Sequence, residues 1–115
     1  MDNTEFFFGS DNSIRRVFFK DEWWYVVEDI VLSFVDTDDI GAYLLQLKVS
    51  DTEFNRWYMW NTVSLIISDK KGQKMSCVNL EGVFRLIQSI NTSKAEPFKL
   101  WLASLGKKRI KELED

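Results

Sequence analysis

Two helical patterns joined by a short polar turn occupy the last third of the chain, from Val78 to Glu112. In the first pattern the apolar side chains recur at intervals of three and four residues, at Leu80, Val83, Phe84, Ile87 and Ile90. This spacing predicts a helix with one apolar face. Asn79 is a suitable N-cap, and Glu81 suits the positive end of the helix dipole. Gly82 costs about 1 kcal/mol relative to Ala inside a helix, so we interpret it as a packing device where two segments approach closely.

The second pattern follows after a few polar residues. Ser93 and Glu96 have the spacing of a capping box, and Pro97 restricts the conformation of the residue before it, so the helix is expected to begin between Ser93 and Pro97. Its apolar face comprises Phe98, Trp101, Leu102 and Leu105. Trp101 is central on that face and is expected to be buried between the two helices and against the sheet. Gly106 is well placed to end the helix as its C′ residue.

The front of the chain predicts a small antiparallel sheet. Ile14–Phe19 and Trp23–Val27 are rich in β-branched and aromatic residues, and three polar residues separate them, which is the spacing of a hairpin. A shorter apolar run, Phe6–Phe8, precedes them and ends at turn residues. These runs predict strands near the start of the chain.

Beyond Val27 the apolar period lengthens, and helices are expected. A short helix is predicted by Val27, Ile30, Val31 and Phe34. A second helix is predicted by Ile40, Tyr43, Leu44 and Leu47, with Asp38 or Asp39 as its cap.

The middle of the chain is less regular. The segment Asp51–Asn61 is rich in aromatic residues without a clean period, and a strand, a loop and an irregular helix all remain open. Thr62–Ile67 and Met75–Val78 predict two strands, joined by a turn with its tip at residues 69–72.

Both halves of the chain resemble the BRO-N domain, which stands at the front of phage and prophage antirepressors and of the baculovirus-repeat proteins. In the last third, the residues that carry this resemblance are Glu81, Gly82, Arg85, Leu86, Ile87, Ser89, Ala95, Phe98 and Trp101. At the front they are Ile14, Arg15, Val17, Trp24, Tyr25, Asp29 and Ile30. The resemblance implies an α+β fold: a small antiparallel sheet packed with several short helices, ending in a pair of helices similar to a helix-turn-helix. It also implies a DNA-binding regulatory domain of a prophage-type antirepressor, in the cytoplasm of a bacterium. We expect residues 1–115 to form one such domain, as the N-terminal part of a longer regulator.

Charge supports two interpretations of the C-terminal segment. The chain has a formal net charge of −3, which is unfavourable for binding phosphates. Residues 1–84 hold 8 basic and 14 acidic residues, whereas residues 85–115 hold 7 basic and 4 acidic residues. If the domain binds duplex DNA, the expected phosphate contacts are Arg15, Arg16, Lys94, Lys99, Lys107, Lys108, Arg109 and Lys111. The alternative is a solvated helix end, where cations favour the helix dipole. The predicted helix after Asp39 has Lys48 as its single cation, which weakens the case for DNA contact there.

A second kind of function remains open, namely a protein-interaction module that binds a repressor or a second copy of the chain without touching DNA. Its contact residues would be the aromatic group Arg56, Trp57, Tyr58 and Trp60. Core packing is the competing interpretation of these aromatic side chains.

Enzymatic activity is not expected. The chain has no histidine and a single cysteine, Cys77, which is expected to point inward from a strand. Asp36, Asp38 and Asp39 invite a metal-site hypothesis, but the position that closes an EF-hand loop is Leu47. Acidic residues at a helix N-terminus explain the cluster more simply. We therefore expect no metal, no cofactor and no catalytic residue, and no apolar stretch is long enough to predict association with a membrane.

Overall fold

A computed structural model of the chain describes residues 14–67 and 72–114. Within these two ranges the chain forms four strands: β1 Arg16–Phe19, β2 Glu22–Val26, β3 Val63–Ile66 and β4 Lys74–Asn79. The same ranges contain five helices: α1 Val27–Phe34, α2 Ile40–Ser50, α3 Thr52–Asn61, α4 Leu80–Ser89 and α5 Glu96–Glu114, with a 3₁₀ turn at Ser93–Ala95. The α+β class is confirmed. The run Phe6–Phe8 lies outside the described residues.

The sheet is antiparallel with the strand order β1-β2-β4-β3. β1 and β2 form the predicted hairpin, in which Phe19 pairs with Glu22 across a two-residue turn. Both turn residues, Lys20 and Asp21, have positive φ angles of 50° and 65°. Two residues with positive φ are the pattern of a type I′ turn, whose twist matches that of the strands.

The two faces of the sheet have different environments because successive side chains of a strand point in opposite directions. Tyr25 and Val78, which pair across β2 and β4, belong to the main core with the helices. Their neighbours Val26 and Cys77 belong to a second, smaller apolar cluster with Ile67. Cys77 is fully buried, as expected.

The helices in the first half follow local signals. α1 and α2 occur where the apolar period predicts them, and Asp39 caps α2 by accepting a hydrogen bond from the Ala42 amide. The segment with three open alternatives is helical: Asp51 caps α3 through the Phe54 amide at 3.1 Å, and Phe54 is fully buried. The strands β3 and β4 are confirmed, whereas most of the predicted turn between them, residues 68–71, lies outside the described residues.

In α4, Asn79 caps the helix through the Gly82 amide, as predicted. Gly82 is indeed a packing device, because a Cβ atom at this position would lie 2.6 Å from Cβ of Val78. The buried face differs from the predicted one. Leu86 is fully buried, whereas Leu80 is exposed. Leu80 is the first helical residue, and its side chain leans toward the helix N-terminus, away from the packed turns.

The predicted end of the last helix is wrong. α5 continues through Gly106 to Glu114. One exposed glycine costs too little to stop a helix whose following residues are good helix formers, and Arg109 and Glu112 add an ion pair one turn apart. Every described side chain from 103 to 114 is exposed. The radius of gyration is 15.1 Å, above the roughly 13 Å of a compact domain of this length, as expected for a helix end that projects from the core.

Candidate nucleic-acid interface on the C-terminal helix

The first half of α5 is attached to the core through Phe98. This side chain is almost fully buried, and its ring centroid lies 6.1 Å from that of Phe34, 6.0 Å from that of Phe84 and 6.0 Å from that of Trp101. Trp101 itself is half-buried rather than fully enclosed. Thr92 strengthens the attachment by donating a hydrogen bond to the Phe34 carbonyl at 2.7 Å. The core therefore fixes the direction in which the exposed half of α5 projects.

The four cations near the end of α5 lie on more than one face of the helix. Lys107 and Lys111 are one turn apart and line the same shallow hollow as Ala103 and Ile110. Lys108 and Arg109 border a different surface, and Arg109 pairs with Glu112 at 3.3 Å. The cations are exposed, but they are distributed around the helix and do not form a single stripe along it.

The surface beside Lys108 is an apolar groove between α4 and α5, with a volume of about 650 Å³. Its lining residues are Phe84, Gln88, Leu102, Leu105, Gly106, Lys108, Arg109 and Glu112. Lys99 borders an adjacent hollow that shares Gln88 and Leu102. Lys94 is exposed on the 3₁₀ turn before α5. Since Lys99 and Lys107 are eight residues apart, about 12 Å of helix separates them.

The two predicted contacts on the sheet differ in their surroundings. Arg15 binds the buried carboxylate of Asp29 through Nε at 2.8 Å and Nη2 at 2.9 Å. The guanidinium of Arg16 stacks over the ring of Trp23, 4.0 Å from its centroid. Arg15 thus has a structural partner, whereas Arg16 presents its charge on the surface of the hairpin.

The aromatic group predicted to bind a partner is divided by α3 into two sides. Trp57 and Tyr58 are half-buried and pack on Phe54, at centroid distances of 5.8 and 5.9 Å. Trp60 is 77% exposed on the outer side, together with Arg56. The inner side of α3 therefore packs on the core, whereas its outer side is exposed.

A sequence model of the BRO family N-terminal domain matches residues 13–107, which is most of the chain. This chain belongs to the BRO family. Neither a curated protein nor a solved structure gives a significant match. Family membership suggests a phage-type regulatory or DNA-binding domain.

Several residues that carry the family resemblance contact one another in this BRO domain. Arg15 pairs with Asp29, as described above. Arg85 binds the hydroxyl of Ser89, and its guanidinium lies 5.6 Å from the ring centroid of Trp57. Sequence reasoning did not assign a role to Asp29 or Arg85. No local spacing predicts the pair of Arg15 and Asp29, because 14 positions separate the two residues.

The BRO domain also has a smaller cavity, of about 240 Å³, beside α2 and the strand β4. Tyr58 lines it, and burial raises the pKa of this phenol, while a hydrogen bond to Ser76 opposes the shift. Among the residues that the structure describes, no cluster of acidic or cysteine side chains is arranged to hold a metal ion. No helix in the described ranges is both long and apolar enough to cross a membrane.

Proposed function

We propose that this BRO domain is the DNA-binding regulatory domain of a prophage-type antirepressor, and that the exposed end of α5 contacts phosphates of duplex DNA. The observation that carries the proposal is the position of Lys107, Lys108, Arg109 and Lys111 on a projecting helix end. Within the described part of the chain, Arg109 alone among these four has an ion pair. Exposed lysines on a projecting helix reach a phosphate backbone without rearrangement of the core.

The negative net charge of the chain opposes binding less than its magnitude suggests, because 14 of the 18 acidic residues lie in residues 1–84. Asp29 binds Arg15, and Asp39 and Asp51 cap α2 and α3. These carboxylates lie in other elements than α5. The C-terminal segment thus keeps a local positive charge, and counterion release from DNA is the expected driving force. This function needs no enzymatic step and no cofactor.

The test is a titration of duplex DNA at several salt concentrations. Affinity should fall steeply with salt, and each lost phosphate contact should lower the salt slope by about 1. Lys108→Glu with Lys111→Glu should abolish binding at moderate salt. Lys20→Glu with Lys74→Glu makes the same change of net charge on the sheet and should retain most of the affinity. Equal weakening by both pairs, or no binding by the parent protein, would contradict the proposal.

A second candidate function is binding of a repressor protein, and the exposure of α3 favours it. Met59 and Trp60 are 66% and 77% exposed on its outer side, and tryptophan is common at the centres of protein interfaces. This function predicts that Trp60→Ala abolishes repressor binding, while Asn55→Ala, on another side of the same helix, preserves it. A repressor contact would also lack the steep salt dependence of a DNA contact.

A further inference from the structure

The exposed half of α5 carries a narrow apolar stripe along one side. Its members are Ala103, Gly106, Ile110 and Leu113. They are all exposed, and Ile110 and Leu113 are 59% and 68% exposed. At about 100° per residue, the four positions span about 80° of the helix circumference. Beyond its chain neighbours and the helix's own backbone, no heavy atom lies within 4 Å of a Cβ placed at Gly106. The stripe is therefore open to a close partner.

Cations flank the stripe on both sides. Lys107 lies about 80° from the centre of the stripe in one direction, and Arg109 lies about 80° from it in the other. Lys111 follows on the Lys107 side, about 120° from the centre, and Lys108 is on the far side of the helix, about 180° away. Because about 160° separates Lys107 from Arg109, a single phosphate strand along one side of the helix cannot contact both. Two phosphate strands, one on each side of the stripe, can.

The dimensions of this segment fit one groove of duplex DNA. An α-helix with its side chains is about 10–12 Å across. The major groove is about 12 Å wide, whereas the minor groove is about 6 Å wide. Residues 103–114 extend over about 18 Å, and all their side chains are exposed, so the segment can enter a groove without unpacking the core. The walls of the major groove are the phosphates of the two strands, and its floor includes apolar thymine methyl groups.

We propose that the exposed half of α5 lies in the major groove of duplex DNA with its apolar stripe against the base edges, an arrangement that rests on the DNA binding proposed above. Lys107 and Lys111 contact phosphates of one strand, and Arg109 contacts the other. Arg109 leaves its ion pair with Glu112 for this contact, and an exposed pair of this kind is weak. Gly106 has no side chain, so the helix backbone can approach the base pairs closely.

Duplexes modified in one groove test the placement. Glucosylated 5-hydroxymethylcytosine fills the major groove and leaves the phosphate charge unchanged, whereas 2,6-diaminopurine in place of adenine adds an amino group to the minor groove. Binding by the parent protein is measured by fluorescence anisotropy at one moderate salt concentration. The glucosylated duplex should bind at least about tenfold more weakly than the unmodified duplex, and the diaminopurine duplex should bind within about twofold of it.

Substitutions on α5 test the orientation of the helix. Gly106→Leu fills the stripe at an open position, so it should preserve the fold by circular dichroism and weaken binding at least about tenfold. Ser104→Leu adds the same bulk about 140° from the centre of the stripe and should retain the parent affinity. Lys107→Gln and Lys108→Gln remove the same charge from opposite parts of the helix. Lys107→Gln should lower the salt slope by about 1, and Lys108→Gln should lower it by clearly less.

The possible results distinguish the groove placement from DNA binding itself. Steeply salt-dependent binding that is equal for the glucosylated and unmodified duplexes would overturn the groove placement and leave phosphate binding intact. Equal weakening by the two leucine variants, or an equal loss of salt slope in Lys107→Gln and Lys108→Gln, would overturn the orientation. A parent protein that binds none of the duplexes would overturn both the groove placement and the proposed function.

Discussion

Arg15 and Asp29 are joined by three hydrogen bonds, two from the guanidinium and one from the Arg15 backbone amide, at 2.8 to 2.9 Å. Asp29 is buried in α1, while the Arg15 side chain remains 44% exposed beside β1. The pair thus ties the start of the sheet to the first helix. A buried carboxylate needs such partners, because an unpaired charge in the core is strongly unfavourable.

Arg15→Met should therefore destabilise the domain. Among the described residues, the substitution leaves the buried Asp29 carboxylate with one hydrogen bond, from the backbone amide at position 15. We expect a loss of roughly 2–3 kcal/mol, below the 3–5 kcal/mol of fully buried pairs because Arg15 is partly hydrated. Urea unfolding measures the loss. Arg16→Met, at the next residue and the first of β1, is the control and should cost under about 1 kcal/mol. Similar losses for the two variants would contradict this role of Asp29.

The two helical glycines should respond in opposite directions to the same substitution. Gly82→Ala places a Cβ 2.6 Å from Val78 and should destabilise the domain by about 1–3 kcal/mol. Gly106→Ala meets no atom within 4 Å beyond its chain neighbours and the helix's own backbone, and should stabilise α5 by about 0.5–1 kcal/mol. Thermal melting of the variants, compared at one low protein concentration, measures both effects. A stabilising Gly82→Ala would show that α4 can move away from β4 at little cost.

Phe98 should contribute more to stability than Trp101, although tryptophan is the larger residue. Phe98 is 1% exposed and contacts aromatic rings from α1, α4 and α5. Phe98→Ala should cost about 3–5 kcal/mol, and Trp101→Ala, at a half-buried site, about 1.5–3 kcal/mol. Leu100→Ala, on the exposed side of the same helix, should cost under about 0.5 kcal/mol. The ranking, measured by urea unfolding, would be refuted by a larger loss for Trp101→Ala.

Alkaline pH should weaken the fold. Burial raises the pKa of the Cys77 thiol above its ordinary 9.0, with a smaller contribution from the Asp29 charge, and burial also raises the pKa of Tyr43 and Tyr58 above 10.0. The folded chain therefore holds these protons more tightly than the unfolded chain does. Their contribution to stability is complete below pH 9 and falls as the pH rises through 9 and 10.

Urea unfolding at pH 7 and at pH 10.5 measures this loss of stability. The difference in the free energy of unfolding between the two pH values should be smaller in Cys77→Ala than in the parent protein, even if the variant is less stable at pH 7. Because Cys77 is the single cysteine of the chain, its labelling by a disulfide reagent gives an independent readout. Labelling of the native protein at neutral pH should be at least about a hundredfold slower than labelling in denaturant. Rapid labelling without denaturant would show that the second apolar cluster opens easily.

Local signals in the chain were sufficient to predict where most elements begin. Asn79 and Asp39 cap the helices expected after them, and the β1–β2 hairpin lies where three polar residues interrupt two apolar runs. Caps, turns and apolar periods depend on residues within a few positions of one another, so a single sequence carries them. α3 shows the limit of such signals. Its N-cap residue, Asp51, was present in the sequence, but its aromatic residues lacked a clean helical period, so the segment could not be assigned to a helix.

The sequence by itself determined the α+β class, the order of most helices and strands, and a basic C-terminal segment. The tertiary structure alone decided which of these residues meet. Asp29 and Arg15 are 14 positions apart and Thr92 and Phe34 are 58 apart, yet they form direct hydrogen bonds. It also decided that Trp57 packs inward while Trp60 points outward, and that α5 leaves the core after its first half. The physical reason is that such contacts depend on the angles at which whole elements pack, and no local spacing of residues encodes those angles.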